Sequence, residues 1–304
     1  MLMLALVGLF LLLPSACQPI VAPTEMAPDQ EAMLEPTLES EIDAYVEEMM
    51  ETTGLPGFAL GIVKDGELAY AKGFGVANVE TGEPVTSQTV FQLAAVTMAP
   101  TTLAMLQLAE AGKIDLDAPI TDYLSYFEMV GDGADDITVR HLLLNTSGVP
   151  DSGDMAADWT QITPDLDDDA VERFVRSLAE TELLFPPGEG FEWSDIGYHI
   201  LGDVVAKAAG QPYETYMKEN LLTPIGMEQS SFLLDEVDAD LLATPHIEDE
   251  TGAPVVADVV PYSRQFSAAN NLFSNVEDLA RFAQANLNRG DVDGATILPA
   301  EYFD

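Results

Sequence analysis

The chain has 304 residues, enough for one large domain or two modest ones, and its 47% hydrophobic content excludes a disordered protein. Acidic residues number 53 against 11 basic, a formal net charge of −42, and a surface of that sign repels nucleic acid and anionic membranes. The acids are scattered rather than massed in a tail, so they read as a strongly solvated surface before they read as an acidic partner-binding face.

The chain opens on the apolar run MLMLALVGLFLLLPSAC, too short for a membrane span and of the length of an export-signal core. Pro14-Ser15-Ala16 before Cys17 resembles the cleavage box of a bacterial lipoprotein, although Pro14 stands where an aliphatic residue is usual and no Lys or Arg precedes the run. The expectation is a signal peptide over residues 1–17 with lipid on Cys17. The protein would then be exported and touch the cell-envelope membrane only through that anchor, the alternative being a secreted soluble form. Cys17 is the only cysteine, so no intrachain disulfide forms. Residues 18–36 carry Pro19, Pro23, Pro28 and Pro36 with several Glu and little periodicity, which predicts an extended, disordered tether.

The folded domain is expected over 37–304. Thr37 is a candidate helix cap, and Leu38, Ile42, Tyr45, Val46 and Met49 fall on one face at helical spacing. Gly54 and Pro56 stop that helix. Two apolar runs then flank Asp65-Gly66, a hairpin turn pair. The first run, Phe58 to Val63, is apolar at both parities, which predicts a central strand covered on both faces. A periodic helix runs from Thr101 to Ala111 and closes at Gly112; helices dominate to about Glu228, and a last one covers Val276 to Leu287. There is no internal repeat.

Four blocks carry a resemblance. They are FQLAAVTMAPTTLAMLQLAEAGKIDLDAPI (Phe91 to Ile120), HLLLNTSGVPD (His141 to Asp151), the stretch from Pro186 to Met227 that contains FEWSDIGYHILG, and AANNLFSNVEDLARF (Ala268 to Phe282). In content and order they are similar to the serine beta-lactamase and penicillin-binding-protein-like hydrolases, on the class C side of that family. The resemblance implies an α/β (α+β) fold: an antiparallel sheet flanked by helices, with an all-helical lobe over about 99–260 and the active site between the two. It also implies about three further strands and a terminal helix, and a third motif, H-T-G or K-T-G, that does not occur here. The expectation is therefore an incomplete domain with its C-terminal strands missing, a fragment of a longer reading frame.

The family's S-x-x-K pair falls on Ala95 and Met98. Residues three apart share a helix face, which is why a serine nucleophile and a proton-handling lysine occupy them. Ala95 has no nucleophilic atom and Met98 no charge or exchangeable proton. Methionine keeps much of the lysine stem's volume and removes the desolvation cost of a lysine without partners. Thr97, the remaining hydroxyl, points to another side of the helix. The family's Y-x-N falls on Trp193-Ser194-Asp195. Trp193 keeps the aromatic bulk without the hydroxyl, and Asp195 exchanges a substrate-binding amide for a carboxylate. Ser194 is the motif's middle residue, facing away from the pocket, and His199 beside it gives only a weak Ser-His-Asp signal.

Three scattered histidines and one cysteine make no metal site, and no cofactor is expected. His141 reads as a capping or core residue and His246 as isolated in a loop. Asp167-Asp168-Asp169 lack the spacing of a calcium loop and read as a solvated face. Asn270-Asn271 replaces the family's Gly-Gly, and Asn tolerates the left-handed backbone such a turn would need. The function expected is that of an exported, catalytically inactive relative of the serine hydrolases. Its cleft would hold a small molecule, a peptidoglycan-like peptide or a partner. The alternatives are an active esterase, D-Ala-D-Ala peptidase or beta-lactamase type using unorthodox residues, and a truncated product without function.

Overall fold

Pro36 opens the first helix of the computed structural model, which describes residues 36–152 and 163–303. The signal segment, Cys17 and the linker as far as residue 35 lie outside the described residues. Helix α1 (Pro36–Thr53) starts on the proline because its ring presets a helical φ and its missing N–H needs no partner in a first turn. Thr37 therefore sits inside the helix and not at its cap. The buried stripe is narrower than the periodicity predicts. Ile42, Val46, Met49 and Met50 pack on the sheet, while Leu38 and Tyr45 are exposed.

Strands β1 (Gly57–Lys64) and β2 (Glu67–Asn78) form the expected antiparallel hairpin, with Asp65 and Gly66 both at positive φ, 55° and 86°, as a two-residue turn of this hand requires. A short β3 (Glu83–Pro84) pairs on the other side of β2, so β2 is the middle strand and β1 an edge. The prediction of a central β1 is corrected by the pairing order: among the described residues β1 pairs with β2 alone, although helices cover both of its faces as its apolar run predicts. Phe58, Leu60 and Ile62 pack toward α1. On the opposite face Gly61 lies so close to Val276 that an added Cβ would meet that side chain at 3.3 Å.

After β4 (Phe91–Gln92) a 3-10 turn, Ala94–Thr97, leads into α2 (Met98–Glu110), whose first turn tolerates Pro100. Helices α3 (Val139–Leu143), α4 (Ala170–Ser177), α5 (Asp195–Ala209) and α6 (Tyr213–Met217) follow, the last running into a π-helical stretch, Lys218–Leu222. Helix α5 is the axis of the main core. Ile196, Ile200, Leu201, Val204 and Val205 are all fully buried, and Gly210 at φ 73° ends the helix. The expected all-helical stretch to residue 260 is interrupted by a hairpin, β5 (His246–Glu248) with β6 (Pro254–Val256), so His246 stands in a strand and not in a loop. Its Nε2 accepts from the Val79 N–H at 3.2 Å.

Helix α7 (Ser267–Asn270) packs on α5 at Gly202, where a Cβ would come within 2.5 Å of that of Ala268. Strand β7 (Phe273–Ser274) pairs with β4, and α8 (Val276–Leu287) matches its predicted bounds. A final hairpin joins β8 (Asp291–Val292) and β9 (Ala295–Thr296). Among the described residues no helix is long and apolar enough to cross a membrane.

Candidate active site

The turn that carries Ala95 is held from behind by one residue. Leu272 accepts from the Leu93 N–H at 2.8 Å and donates its own N–H to Thr97 Oγ1 at 3.0 Å. Thr97 is fully buried by this role, so its hydroxyl is committed to the scaffold. Between the two anchors Ala94 adopts φ 45°, a left-handed conformation that costs a residue with a Cβ roughly 1–2 kcal/mol. The strained tip presents Ala94, Ala95 and Val96 to solvent. Ala95 thus stands in the 3-10 turn ahead of α2 and is itself exposed, not at the head of a buried helix. Met98 lies one turn further in, only 8% exposed, and belongs to the main core.

A hydrogen-bonded chain joins this turn to the second motif. Thr102 Oγ1 donates to the Met98 carbonyl at 3.0 Å and lies 3.2 Å from the Tyr198 hydroxyl, which donates to the Leu143 carbonyl at 3.2 Å. Two residues along the same loop, Asn145 takes the N–H of Glu192 on its carbonyl at 3.0 Å and that of Ser194 on Oδ1 at 3.1 Å. The start of α2, the 143–145 loop and the 192–194 segment therefore meet. At Gly148 the same loop turns at φ 78°, and a Cβ there would strike the Phe185 carbonyl at 2.0 Å.

Within the second motif the three side chains part company. Trp193 is 41% exposed. Ser194 caps α5: its Oγ accepts from the Gly197 N–H at 3.0 Å and donates to the Pro150 carbonyl at 2.8 Å, so it is not a free nucleophile. Asp195, expected to stand where a substrate-binding amide would, is 3% exposed and turns toward the 150–152 loop. Its Oδ1 accepts from the Ser152 N–H at 2.9 Å and its Oδ2 from the Ser152 hydroxyl. A carboxylate buried this deeply needs donors, and Ser152 supplies two.

His199 makes no triad with these neighbours. It is fully buried between the rings of Phe174 and Phe266, with centroids at 5.4 and 5.3 Å, and neither ring nitrogen has a hydrogen-bond partner among the described residues. Burial pulls its pKa down to about 3, against a smaller upward pull from Asp151. The unfolded chain binds this proton from about pH 6.5 downward, whereas the folded one does so only near pH 3. The contribution of this group to stability is thus complete above pH 6.5 and is lost as pH falls toward 3. His199→Phe is expected to flatten that limb of a urea-denaturation series between pH 7 and 3.5. An unchanged limb would place the acid sensitivity elsewhere. Asp203 has the opposite sign. Burial pushes it up to about 6, against the Tyr126 hydroxyl that donates to it at 2.7 Å, so its share of stability is complete below about pH 4 and lost as pH rises through 6.

His141 is a capping residue: its Nδ1 accepts from the Thr138 N–H at 3.2 Å while Thr138 Oγ1 accepts from the His141 N–H. Asn271 corrects the expected left-handed turn. It sits at φ −106° and is kept by its side chain, which donates to the Ser263 carbonyl at 2.8 Å. The acid run at 167–169 is partly engaged: Asp167 and Asp169 pair with Arg173, and Asp168 pairs with Arg264 at 2.6 Å.

Sequence reasoning missed the buried network around Arg264. Its guanidinium grips both oxygens of Glu214, at 3.0 and 2.9 Å, and Ser267 Oγ donates to the same carboxylate at 2.7 Å. Arg264 and Glu214 are 10% and 5% exposed. This network fixes α6 to α7, whose Ala268 carbonyl accepts from Thr101 on α2 at 2.7 Å, directly behind the Ala95 turn. A groove of about 570 Å³ between Gln107, Tyr216, Asn220 and Ile297 lies along the C-terminal half of α2, away from these motifs. Among the described residues no group of His, Cys, Asp and Glu is placed to hold a metal ion.

A sheet backed by helices, a helical lobe and a strained turn leading into a core helix define the scaffold of a serine hydrolase of the penicillin-binding-protein type. The family model described as Beta-lactamase matches residues 42–301, and the chain belongs to that family. It is 32% identical over 252 residues to penicillin-binding protein 4 of Amycolatopsis lactamdurans, covering 81% of this chain and 63% of that protein. It is 32% identical over 208 residues to esterase EstB of Burkholderia gladioli, covering 66% of this chain and 53% of the esterase. The octameric penicillin-binding protein homologue from Pyrococcus abyssi superposes with a TM-score of 0.76 at 31% identity, over 87% of this chain and 59% of that one. The chain thus spans less than two thirds of the length of each of these relatives.

Proposed function

We propose that this chain is a catalytically silent member of the beta-lactamase family, exported and lipid-anchored at Cys17, whose cleft binds a ligand without cleaving it. The observation that carries the reading is Ala95: a methyl group stands exposed at the tip of a strained turn, where the family motif has its serine. Acyl transfer needs a nucleophile and a proton acceptor. The position of the second holds Met98, buried and chargeless. The two hydroxyls nearest in sequence to the motif residues, on Thr97 and Ser194, are both engaged in the scaffold, which supports silence rather than rebuilt chemistry.

The relatives' names point to penicillins and esters as the compounds to try. Incubation with a fluorescent penicillin and with a fluorophosphonate is expected to give no covalent adduct by intact mass. Stoichiometric labelling of any residue would end the reading. For export, mass spectrometry of the mature protein from a bacterial host is expected to show Cys17 at the N-terminus carrying lipid, and retention of residues 1–16 would refute the anchor.

A further inference from the structure

The surface beside the Ala95 turn carries an aromatic strip with a defined geometry. Phe191 and Trp193 are 68% and 41% exposed, while Glu192 between them is half-buried. Ser194 has extended backbone, Asn145 accepts from the N–H groups of both Glu192 and Ser194, and residues two apart in an extended segment point to the same side. Leu144, next to Asn145, is 57% exposed. Large apolar side chains left exposed on two hydrogen-bonded segments are a candidate binding surface.

Charge decides which occupant. The three segments that build the site, 91–98, 143–152 and 186–195, contain no Lys or Arg, yet they contain Asp151, Glu189, Glu192 and Asp195. Met98 removes the one cation the family motif would place there. Elsewhere, Lys72, Arg140, Arg173, Arg176, Lys207, Lys218, Arg264 and Arg281 are each held in ion pairs. With a net charge of −42 around it, an anionic ligand would find repulsion and no Lys or Arg in these segments, whereas a cation is drawn in. Indole is also the aromatic face on which a cation binds best.

We infer that the Phe191–Trp193 strip is a binding site for an organic cation with apolar faces, of the quaternary ammonium or guanidinium kind. The inference rests on the reading that this cleft binds without covalent chemistry, and it narrows the ligand class from any small molecule to a cationic one. The strip supplies the aromatic face and Glu189 and Glu192 the field.

The test uses the unmodified 304-residue chain and follows the methyl proton resonances of choline by NMR. The comparison ligand is 3,3-dimethylbutan-1-ol, which has the same shape and no charge. Choline is expected to bind saturably and roughly tenfold more tightly than the alcohol. Trp193→Leu is expected to abolish most of that binding, and Glu189→Gln with Glu192→Gln to weaken choline severalfold while leaving the alcohol unchanged. Circular dichroism would confirm that the variants are folded. Equal binding of the two ligands, no saturation, or choline binding that survives Trp193→Leu (mere accumulation of cations on an acidic surface) would each overturn the inference. Covalent labelling by the fluorophosphonate would instead sink the non-covalent reading, whatever choline does.

Discussion

Ala95→Ser is expected to leave the protein without measurable acyl transfer, roughly a thousandfold or more below a working enzyme of this type, because nucleophile and proton acceptor act as a unit. The substitution itself is mild. Ala95 is exposed at the tip of its turn, so an added hydroxyl meets no packing and stability should change by less than about 0.5 kcal/mol. The deficit lies behind it. Restoring the motif further, with Met98→Lys and Trp193→Tyr, puts an ammonium into a position only 8% exposed. Such a lysine would stand in the apolar main core to which Met98 belongs. It either costs several kcal/mol of stability or sheds its proton. The expected outcome of the series on penicillin and aryl-ester substrates is therefore no turnover from the natural chain, none or a trace from Ala95→Ser, and a less stable triple variant with little gain. Turnover by the unmodified protein would overturn the reading; a burst of acylation from the single variant would show that a proton acceptor survives in the cleft.

Arg264→Met is expected to cost about 3–5 kcal/mol and to lower the melting temperature by on the order of 10 °C. Removing the guanidinium leaves Glu214 buried at 5% exposure with the Ser267 hydroxyl as its remaining side-chain donor among the described residues, and an uncompensated charge in that setting is the expensive outcome. The double variant Arg264→Met, Glu214→Leu should recover most of the loss, because an apolar pair of similar volume has no charge to desolvate. A double variant no more stable than the single one would mean that the network's hydrogen bonds, and not its charge balance, hold α6 to α7. Because the pair is buried, the loss should depend little on salt, unlike the stability of the acidic surface, which should rise as salt screens its self-repulsion.

Much of this protein is legible in its residues alone. Asp65-Gly66 dictates a hairpin because both positions must take positive φ, and α8 keeps its predicted bounds, Val276 to Leu287. That Ala95 offers no nucleophilic atom and Met98 no exchangeable proton needs no coordinates, since a missing atom is missing in any fold. Other features came only from assembly. Phe58 to Val63 states that both faces of a strand are covered but cannot say how many strands pair with it, and among the described residues β1 pairs with β2 alone. Asn271 could be read as a turn residue by its tolerance of left-handed backbone; its hydrogen bond to Ser263 is a fact of packing. Asp195 could be placed in its motif, yet the direction of its carboxylate was settled by Ser152, 43 residues earlier in the chain. Arg264 and Glu214 lie 50 residues apart and carry no local pattern. Short-range rules act on spacing, whereas a buried charge is paid for by whichever partner the tertiary fold brings to it, and that choice is written in no single segment of the chain.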